Sequence, residues 1–229
     1  MTAQYSPQFV RDWLGQLQEE SIAEIAPDPA ATAVFSTDMI NGFLHFGALS
    51  SPRVKALAAP VAGLFTLAWN HGVREFVLTQ DTHHPGTPEF ESYPPHAHAG
   101  SDESQTIPEL ANLPFADAFT IFEKNSLSPA IGTGFDAWLD AHPEIDTAIV
   151  VGNCTDLCIY QLAMHLRMRA NAHNITGYDV VVPANCVDTF DIPVEAVQAN
   201  GEAHPGDFFH EVFLYHMAQN GVQVVAAIT

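Results

Sequence analysis

The sequence predicts an α/β protein in three layers, with helices on both faces of a doubly wound, mostly parallel sheet. Short apolar runs rich in β-branched residues alternate along the chain with segments of helical periodicity. Hydrophobic residues make up 47% of the 229 residues, which is enough for one sizeable core. No repeat, low-complexity tract or linker divides the chain. We therefore expect one domain over residues 1–229, with a helical extension over residues 1–30.

The first half of the chain predicts two strands and two helices. The extension begins with an amphipathic helix. Its apolar face contains Phe9, Val10, Trp13, Leu14 and Leu17. Residues 33–37 form an apolar strand that ends at Asp38, and residues 75–79 (EFVLT) form a second strand that ends near Asp81. Between them, residues 54–71 carry apolar side chains at helical spacing, which predicts a helix.

The second half continues the alternation. Strands are predicted at residues 119–122, 147–151, 178–182 and 222–226. Helices are predicted at residues 135–141, 155–172 and 208–220. Right-handed crossovers between parallel strands place all carboxyl ends at one edge of the sheet, where ligands bind in open α/β folds. Asp38, Asp81, Lys124 and Cys158 each follow a strand end closely, so we expect them to meet at that edge.

Cys158 is the candidate nucleophile. Gly152 marks a turn after the strand at 147–151, and Thr155 or Asp156 can cap the following helix. Cys158 then lies in the first helical turn, where free N–H groups and the helix dipole favour a thiolate. The alternative is a buried core thiol, which is common for cysteine. The three cysteines lack the spacing of a disulfide framework, which favours a reducing cytosol.

Lys124 is one of only two lysines, against five arginines, and it follows the apolar run at residues 119–122. A lysine retained in such a place suggests a chemical role. The alternative is a lysine at a strand end whose ammonium reaches solvent.

A long loop over residues 80–109 contains a candidate metal site. It has little periodicity and several prolines, and a loop of this length in a compact domain is usually functional or disordered. Its candidate ligands are Asp81, His83, His84, Glu89, His96 and His98. A mixed oxygen and nitrogen set suits Zn²⁺, Mn²⁺ or Fe²⁺ with positions left for water or a ligand. The alternative is a solvated acidic loop.

The charge of the chain argues against several classes of partner. The formal net charge is -20, which disfavours nucleic acid and anionic membranes as partners.

There is no run of 18 apolar residues, so no transmembrane helix is expected. The first residues lack a basic region followed by a long apolar region, so they do not predict a secretory signal. We expect a cytoplasmic protein.

Five segments resemble the isochorismatase-like cysteine hydrolases and, within them, the nicotinamidases. They are residues 37–43 (TDMINGF), 81–83 (DTH), 93–96 (YPPH), 123–128 (EKNSLS) and 152–158 (GNCTDLC). Their order is that of the family, and the resemblance spans about residues 32–228. There are departures from the pattern. Glu89 stands in for a third histidine, Tyr93 for a frequent tryptophan, and Asn153 and Cys154 for small aliphatic residues.

The resemblance implies a catalytic set and an oxyanion site. Asp38 would take the proton of the Cys158 thiol, and the charge of Lys124 would keep the thiolate available. The backbone N–H groups of Cys154 and Cys158 would bind the oxyanion, and the peptide bond before Cys154 is cis in this family. Cys158 would attack the carboxamide carbon and form a thioester.

The resemblance also implies a metal and a substrate. One divalent ion, most often zinc with iron and manganese as alternatives, would be held by Asp81, His83, Glu89 and His96. It would bind the pyridine nitrogen, while Phe43 and Tyr93 pack against the ring. The implied reaction converts nicotinamide to nicotinic acid and ammonia, a step of NAD salvage. The implied partner is this small amide, and a homo-oligomer is compatible with the sequence.

Three alternatives stay open from the sequence. The first is another carbon–nitrogen hydrolase of the superfamily that acts on a carbamoyl or ureido substrate; such relatives usually lack the metal loop. The second is a non-catalytic metal-binding or scaffold protein. The third is a redox role for Cys154 and Cys158, whose spacing is not that of a C-x-x-C motif. We interpret His204, His210 and His216 as surface or packing residues.

Overall fold

The computed structural model describes residues 6–197 and 201–229. The strands in chain order are β1 (Glu19–Glu20), β2 (Thr32–Thr37), β3 (Glu75–Asp81), β4 (Phe119–Lys124), β5 (Thr147–Asn153), β6 (Asp179–Pro183), β7 (Val187–Asp188), β8 (Gln223–Val225) and β9 (Ala227–Ile228). The α-helices are α1 (Gln8–Leu14), α2 (Ile22–Ile25), α3 (Asn41–Leu44), α4 (Pro52–Lys55), α5 (Ala58–His71), α6 (Pro108–Ala111), α7 (Phe135–Ala141), α8 (Cys158–Ala172) and α9 (Gly206–Gln219).

The main sheet confirms the predicted fold class. Its strands run in the order β4-β3-β2-β5-β6-β8, and β7 pairs with the end of β5. Every pairing is parallel. The first and last strands, β1 and β9, form a separate parallel pair that joins the two ends of the described chain. The carboxyl ends of β2, β3, β4 and β5 are therefore neighbours at one edge, as predicted.

Two hydrophobic clusters cover the two faces of the sheet. Side chains alternate along a strand, so Val34 of β2 faces one cluster while its neighbour Phe35 faces the other. The cluster of Val34 is completed by α2 and α5, and that of Phe35 by α7, α8 and α9. Both residues are fully buried, and burying a side chain such as Phe contributes about 1.5–3 kcal/mol. The three-layer arrangement follows from this two-sided burial.

The predicted helix over residues 54–71 is wrong in its first turn. The structure has two helices here, α4 and α5, separated at Ala56 and Leu57. Pro60 explains the break, because a proline lacks the N–H that would bond to residue i−4 and its ring collides with that carbonyl. The residue four before Pro60 is Ala56, which directly follows the last residue of α4.

The N-terminal helix is present but shorter than its predicted apolar face. Helix α1 ends at Leu14, so Leu17 lies outside it. Val10 is buried, whereas Phe9 is 58% exposed. Phe9 and Trp13 contact the ring of Tyr215 on α9, at centroid distances of 5.5 and 5.2 Å. Among the described residues, no helix combines the length and the apolar character needed to cross a bilayer.

Gly152 lets β5 approach β2 closely, and we expect Gly152→Ala to destabilise the fold. Gly152 has a φ of 116°, and a Cβ at this position would lie 2.1 Å from the carbonyl oxygen of Thr37. An alanine here would have an unfavourable backbone conformation, and its Cβ would clash with the Thr37 carbonyl oxygen. Together these effects should lower the free energy of unfolding by more than about 3 kcal/mol, measured by urea denaturation.

Gly63→Ala is the matched control for that substitution. Gly63 lies on the exposed side of α5, with open space around its Cβ position. Alanine should stabilise the helix there by about 0.5–1 kcal/mol. Equal effects of the two substitutions would contradict the role given to Gly152.

Candidate active site

Asp38 lies immediately after β2 and is held by backbone contacts on three sides. Its φ is 56°, in the left-handed region. The Asp38 N–H donates to the Thr79 carbonyl oxygen at 2.9 Å, and the Asn153 side-chain amide donates to the Asp38 carbonyl oxygen at 2.6 Å. The carboxylate oxygen Oδ1 accepts from the N–H of Asp81 at 2.7 Å. These contacts leave Oδ2 directed at Lys124.

Lys124, at the end of β4, is buried rather than directed at solvent. Its Nζ lies 2.9 Å from Oδ2 of Asp38, contacts Oδ1 of Asp81, and lies 3.4 Å from Sγ of Cys158. The lysine is 1% exposed, so the alternative of a lysine that reaches solvent is wrong. The structure thus brings together Asp38, Lys124 and Cys158, which the sequence predicted from separate strand ends.

The burial and charges of this group shift the pKa values of its members. Burial, together with the carboxylate of Asp81, raises the pKa of Asp38 although Lys124 opposes the shift. Burial alone would lower the pKa of Lys124, but the carboxylates of Asp38 and Asp81 outweigh it and raise that pKa well above its ordinary value. Burial and the charge of Asp38 raise the pKa of Cys158 well above its ordinary value. Burial and two nearby carboxylates thus oppose the thiolate, whereas the charge of Lys124 and the helix start favour it.

The start of α8 also differs from the prediction. The helix begins at Cys158, and neither Thr155 nor Asp156 caps it. Oγ1 of Thr155 lies 2.9 Å from Nδ1 of His210, and the carboxylate of Asp156 lies 2.8 Å from Nε2 of His204. The two side chains therefore bind a segment that is distant in sequence, instead of capping the helix.

The backbone around Cys154 has the form that the resemblance implied. The peptide bond between Asn153 and Cys154 is cis. Within residues 6–197 and 201–229, the N–H groups of Cys154 and Cys158 form no backbone hydrogen bond. Both are therefore available as donors at the start of α8.

Four predicted metal ligands form one compact group. Nε2 of His83 lies 3.1 Å from Nε2 of His96, 3.6 Å from Oδ2 of Asp81 and 3.7 Å from Oε1 of Glu89. All four ligand atoms lie within 4.8 Å of one another. His84, by contrast, is exposed, and His98 lies outside the group.

The hydrogen bonds behind the two histidines orient them as ligands. Oδ1 of Asn125 accepts from the backbone N–H of His84, so it also faces Nδ1 of His83, 3.2 Å away, as an acceptor. Nδ1 of His96 donates to the carbonyl oxygen of Pro94 at 2.8 Å. When each ring is neutral, the hydrogen is on Nδ1, and both Nε2 lone pairs point at the same place. Four such donors fit a divalent cation with nitrogen and oxygen ligands.

Asp81 joins the metal group to the catalytic group. One carboxylate oxygen contacts Lys124, and the other faces His83 and His96. Burial opposes its ionisation, but the charge of Lys124 and the two nearby histidines hold its pKa far below the ordinary value. A change at either group therefore acts on the other through this carboxylate.

A cavity of about 650 Å³ opens onto both groups. Phe43 and Tyr93, the predicted ring-packing residues, both line it, and their rings lie 5.5 and 6.5 Å from the ring of His96. Another part of the wall could not be predicted from the sequence. It includes Ser50, Ser51, Phe190, Ile192, His204 and Phe209. These residues follow no predicted strand end, and among them only His204 had been singled out, as a surface or packing residue.

Comparison with known proteins assigns the family. The isochorismatase domain profile matches residues 32–228, the range over which the resemblance was predicted. Nicotinamidase 1 of Arabidopsis thaliana is 33% identical over 207 residues, an alignment that covers 84% of this chain and 84% of the relative. The chain belongs to the isochorismatase family. The family predicted from the sequence is therefore confirmed.

Solved structures share the fold of this isochorismatase-family chain. The N-carbamoylsarcosine amidase of Thermoplasma acidophilum is 24% identical, with a TM-score of 0.63, and the match covers 85% of this chain and 95% of that one. The pyrazinamidase of Pyrococcus horikoshii, solved in complex with zinc, is 20% identical, with a TM-score of 0.65 and coverage of 85% and 98%. The chain therefore has the fold of these solved structures.

Proposed function

We propose that this hydrolase is a nicotinamidase, a metal-dependent cysteine amidohydrolase that converts nicotinamide to nicotinic acid and ammonia. One observation carries the proposal: the buried group of Asp38, Lys124 and Cys158 and the histidine–carboxylate group open onto the same cavity, and Asp81 contacts members of both groups. The similarity to a curated nicotinamidase supports it.

The catalytic group suits attack on a carboxamide. The thiol proton passes to Asp38 as Sγ of Cys158 bonds to the carboxamide carbon, so the thiolate forms only during attack. Lys124 keeps positive charge beside both groups while the proton moves. The carbonyl oxygen becomes an oxyanion, which the N–H groups of Cys154 and Cys158 bind. Losing one such donor typically costs about 10²–10³ in rate.

The second half of the reaction reverses these proton movements. Asp38 returns the proton to the amide nitrogen, ammonia leaves, and a thioester joins the acyl group to Cys158. Asp38 then accepts a proton from water, whose oxygen attacks the thioester carbon. The carbon–sulfur bond breaks, Cys158 recovers its proton, and the acid is released.

The metal group suits recognition of a pyridine ring. Asp81, His83, Glu89 and His96 would hold a divalent cation, with zinc as the first candidate and iron or manganese as alternatives. When bound, the ion supplies a Lewis-acid contact for a ring nitrogen. Phe43 and Tyr93 pack against the ring faces and exclude water from the carboxamide. The zinc complex of a pyrazinamidase with this fold supports the choice of metal.

The charge of the cavity wall disfavours the carbamoyl alternative. Among the described lining residues there is no arginine or lysine, whereas five carboxylates line the cavity: Asp38, Asp81, Glu89, Asp191 and Glu202. N-carbamoyl amino acids carry a carboxylate, for which the described residues of this wall offer no arginine or lysine as a partner. Nicotinamide is neutral and needs no such partner.

An ammonia-release assay on four amides tests the proposal. Nicotinamide, pyrazinamide, N-carbamoylsarcosine and biuret are compared on one preparation, whose metal content is measured by mass spectrometry. We expect turnover of the two aromatic amides and about one metal ion per chain. Faster turnover of N-carbamoylsarcosine or biuret by metal-free protein would support the carbamoyl alternative instead.

His83→Ala is expected to remove the metal and weaken substrate binding. The substitution deletes a ligand that lies within 3.7 Å of the three other ligand residues. Metal content should fall from about one ion per chain to less than a tenth, and KM for nicotinamide should rise at least about 10-fold. His84→Ala is the matched control, because His84 is adjacent but exposed. Normal nicotinamide binding by metal-free His83→Ala protein would exclude the template role of the metal.

A further inference from the structure

His204 lies in the cavity wall between two aromatic rings. Its ring stacks on Phe190 at a centroid distance of 3.8 Å and an interplanar angle of 15°, and on Phe209 at 4.2 Å and 7°. All three residues line the cavity. The backbone of His204 pairs with that of Ile192 through two hydrogen bonds of 2.8 and 2.9 Å. The imidazole is therefore held in one place by its stack and its backbone.

Both ring nitrogens of His204 face acceptors. Nδ1 donates to the carbonyl oxygen of Phe190 at 3.0 Å, and that oxygen can only accept. Nε2 lies 2.8 Å from Oδ2 of Asp156, so a proton lies between this nitrogen and this oxygen. The side chain of Asp156 is 4% exposed. Within the described parts of the chain, its other oxygen has no hydrogen-bond partner, which leaves His204 as the partner of this carboxylate.

Asp156 belongs to the turn that carries the candidate oxyanion donors. We call residues 154–157 the nucleophile turn, since they connect the cis peptide to Cys158. The turn is anchored on one side through Thr155, whose N–H donates to the carbonyl oxygen of Asp188 at 3.0 Å. On the other side its anchor is the contact between Asp156 and His204. The wall of the cavity and the oxyanion site are thus joined by one side-chain hydrogen bond.

We propose that His204 is a positioning residue that holds the nucleophile turn, through Asp156, in the shape that directs the N–H groups of Cys154 and Cys158 at the oxyanion. The role rests on the proposed amidohydrolase function. His204 touches neither the thiol nor the substrate carbonyl in this role. Its loss acts on the transition state rather than on ground-state binding, because oxyanion donors act on charge that develops during attack.

His204→Phe tests the role, because phenylalanine keeps the stack but removes the hydrogen bond to Asp156. We expect kcat for nicotinamide to fall about 10–100-fold while KM changes less than about threefold, since small misplacement of an aligned group can cost about 10² in rate. His204→Gln keeps a donor near the position of Nε2 and should restore most of kcat. Val194→Ala, an exposed position in the same segment, is the control and should behave as wild type.

Binding of pyridine-3-carbaldehyde separates positioning from a general structural effect. The Cys158 sulfur bonds to the aldehyde carbon, the carbon–oxygen double bond becomes single, and the thiol proton moves to that oxygen, so the adduct resembles the tetrahedral intermediate. His204→Phe should raise its Kd about as much as it lowers kcat, while the Kd of 3-methylpyridine, which forms no adduct, stays unchanged.

The outcomes distinguish this role from the proposed function. Wild-type protein that neither hydrolyses the amides nor binds the aldehyde would overturn both. Active wild type with an equally active His204→Phe variant would overturn the positioning role alone. The role would also be overturned if His204→Gln lost as much kcat as His204→Phe, or if 3-methylpyridine binding weakened in parallel with aldehyde binding.

Discussion

Cys158→Ala is expected to abolish ammonia release from nicotinamide, lowering kcat by about 10⁵-fold or more. Alanine leaves no atom that can bond to the carboxamide carbon, and the remaining groups act only by binding and by stabilising charge. The substitution removes a side chain that is 5% exposed and does not belong to the histidine–carboxylate group. Metal content and the Kd for nicotinamide should therefore stay near their wild-type values. Stopped-flow ammonia detection, calorimetric binding and metal analysis measure the three quantities.

Cys186→Ala is the matched control for this substitution. Cys186 is also buried, and burial raises its pKa to about 12, but its side chain packs in the hydrophobic core. We expect unchanged turnover in this variant. A Cys158→Ala enzyme that kept more than about 1% of wild-type kcat would show that another group attacks the amide. Mass spectrometry of acid-quenched wild-type enzyme should in addition find the acyl group on the peptide that contains Cys158.

Asp38→Asn is expected to lower kcat by about 10³-fold, because an amide cannot accept the thiol proton. Asparagine is the suitable replacement, since it tolerates the left-handed φ of 56° at this position and keeps an oxygen for the N–H of Asp81. The pKa of Cys158, which burial and the Asp38 charge raise, should fall when that charge is removed. Alkylation of Cys158 by iodoacetamide should therefore become faster at neutral pH while turnover becomes slower.

Faster alkylation together with slower turnover would show that Asp38→Asn has lost the base but not the fold. Asp179→Asn is the control, because Asp179 lies exposed at the opposite, amino end of β6. It should change neither turnover nor alkylation. If Asp38→Asn slowed both turnover and alkylation in parallel, the carboxylate would be a structural partner of Lys124 rather than the proton acceptor.

The strand-end residues show how much of the site could be predicted. Asp38, Asp81 and Lys124 lie up to 86 positions apart in the sequence, yet each follows or ends an apolar run. Parallel pairing of β2, β3 and β4 makes those ends neighbours, so local patterns were sufficient to place the residues together. The short motif around His83 was informative for the same reason, since it begins at the end of β3, whereas His96 lies within the loop that follows.

The prediction was wrong where a side chain could bind either a local or a distant partner. Thr155 and Asp156 are good helix caps by residue type, but their side chains bind His210 and His204 instead. Those histidines come from a segment about 50 positions later, so no local pattern could reveal the competition. The break at Ala56 is different, because Pro60 is in the sequence and its effect on the residue four positions before it is local.

The amino-acid pattern by itself determined the three layers and the sheet edge at which the carboxyl ends of the strands meet. It also determined which types of side chain meet at that edge. This is because apolar periodicity and right-handed crossovers are local or general properties of a polypeptide. Only the tertiary structure decided that burial and the charge of Asp38 raise the pKa of Cys158 and that Lys124 contacts both Asp38 and Asp81. It also decided that His204 closes the wall behind the nucleophile turn. Protonation and shared hydrogen bonds depend on burial and on distances of a few ångströms between remote segments, and those distances exist only once the chain has folded.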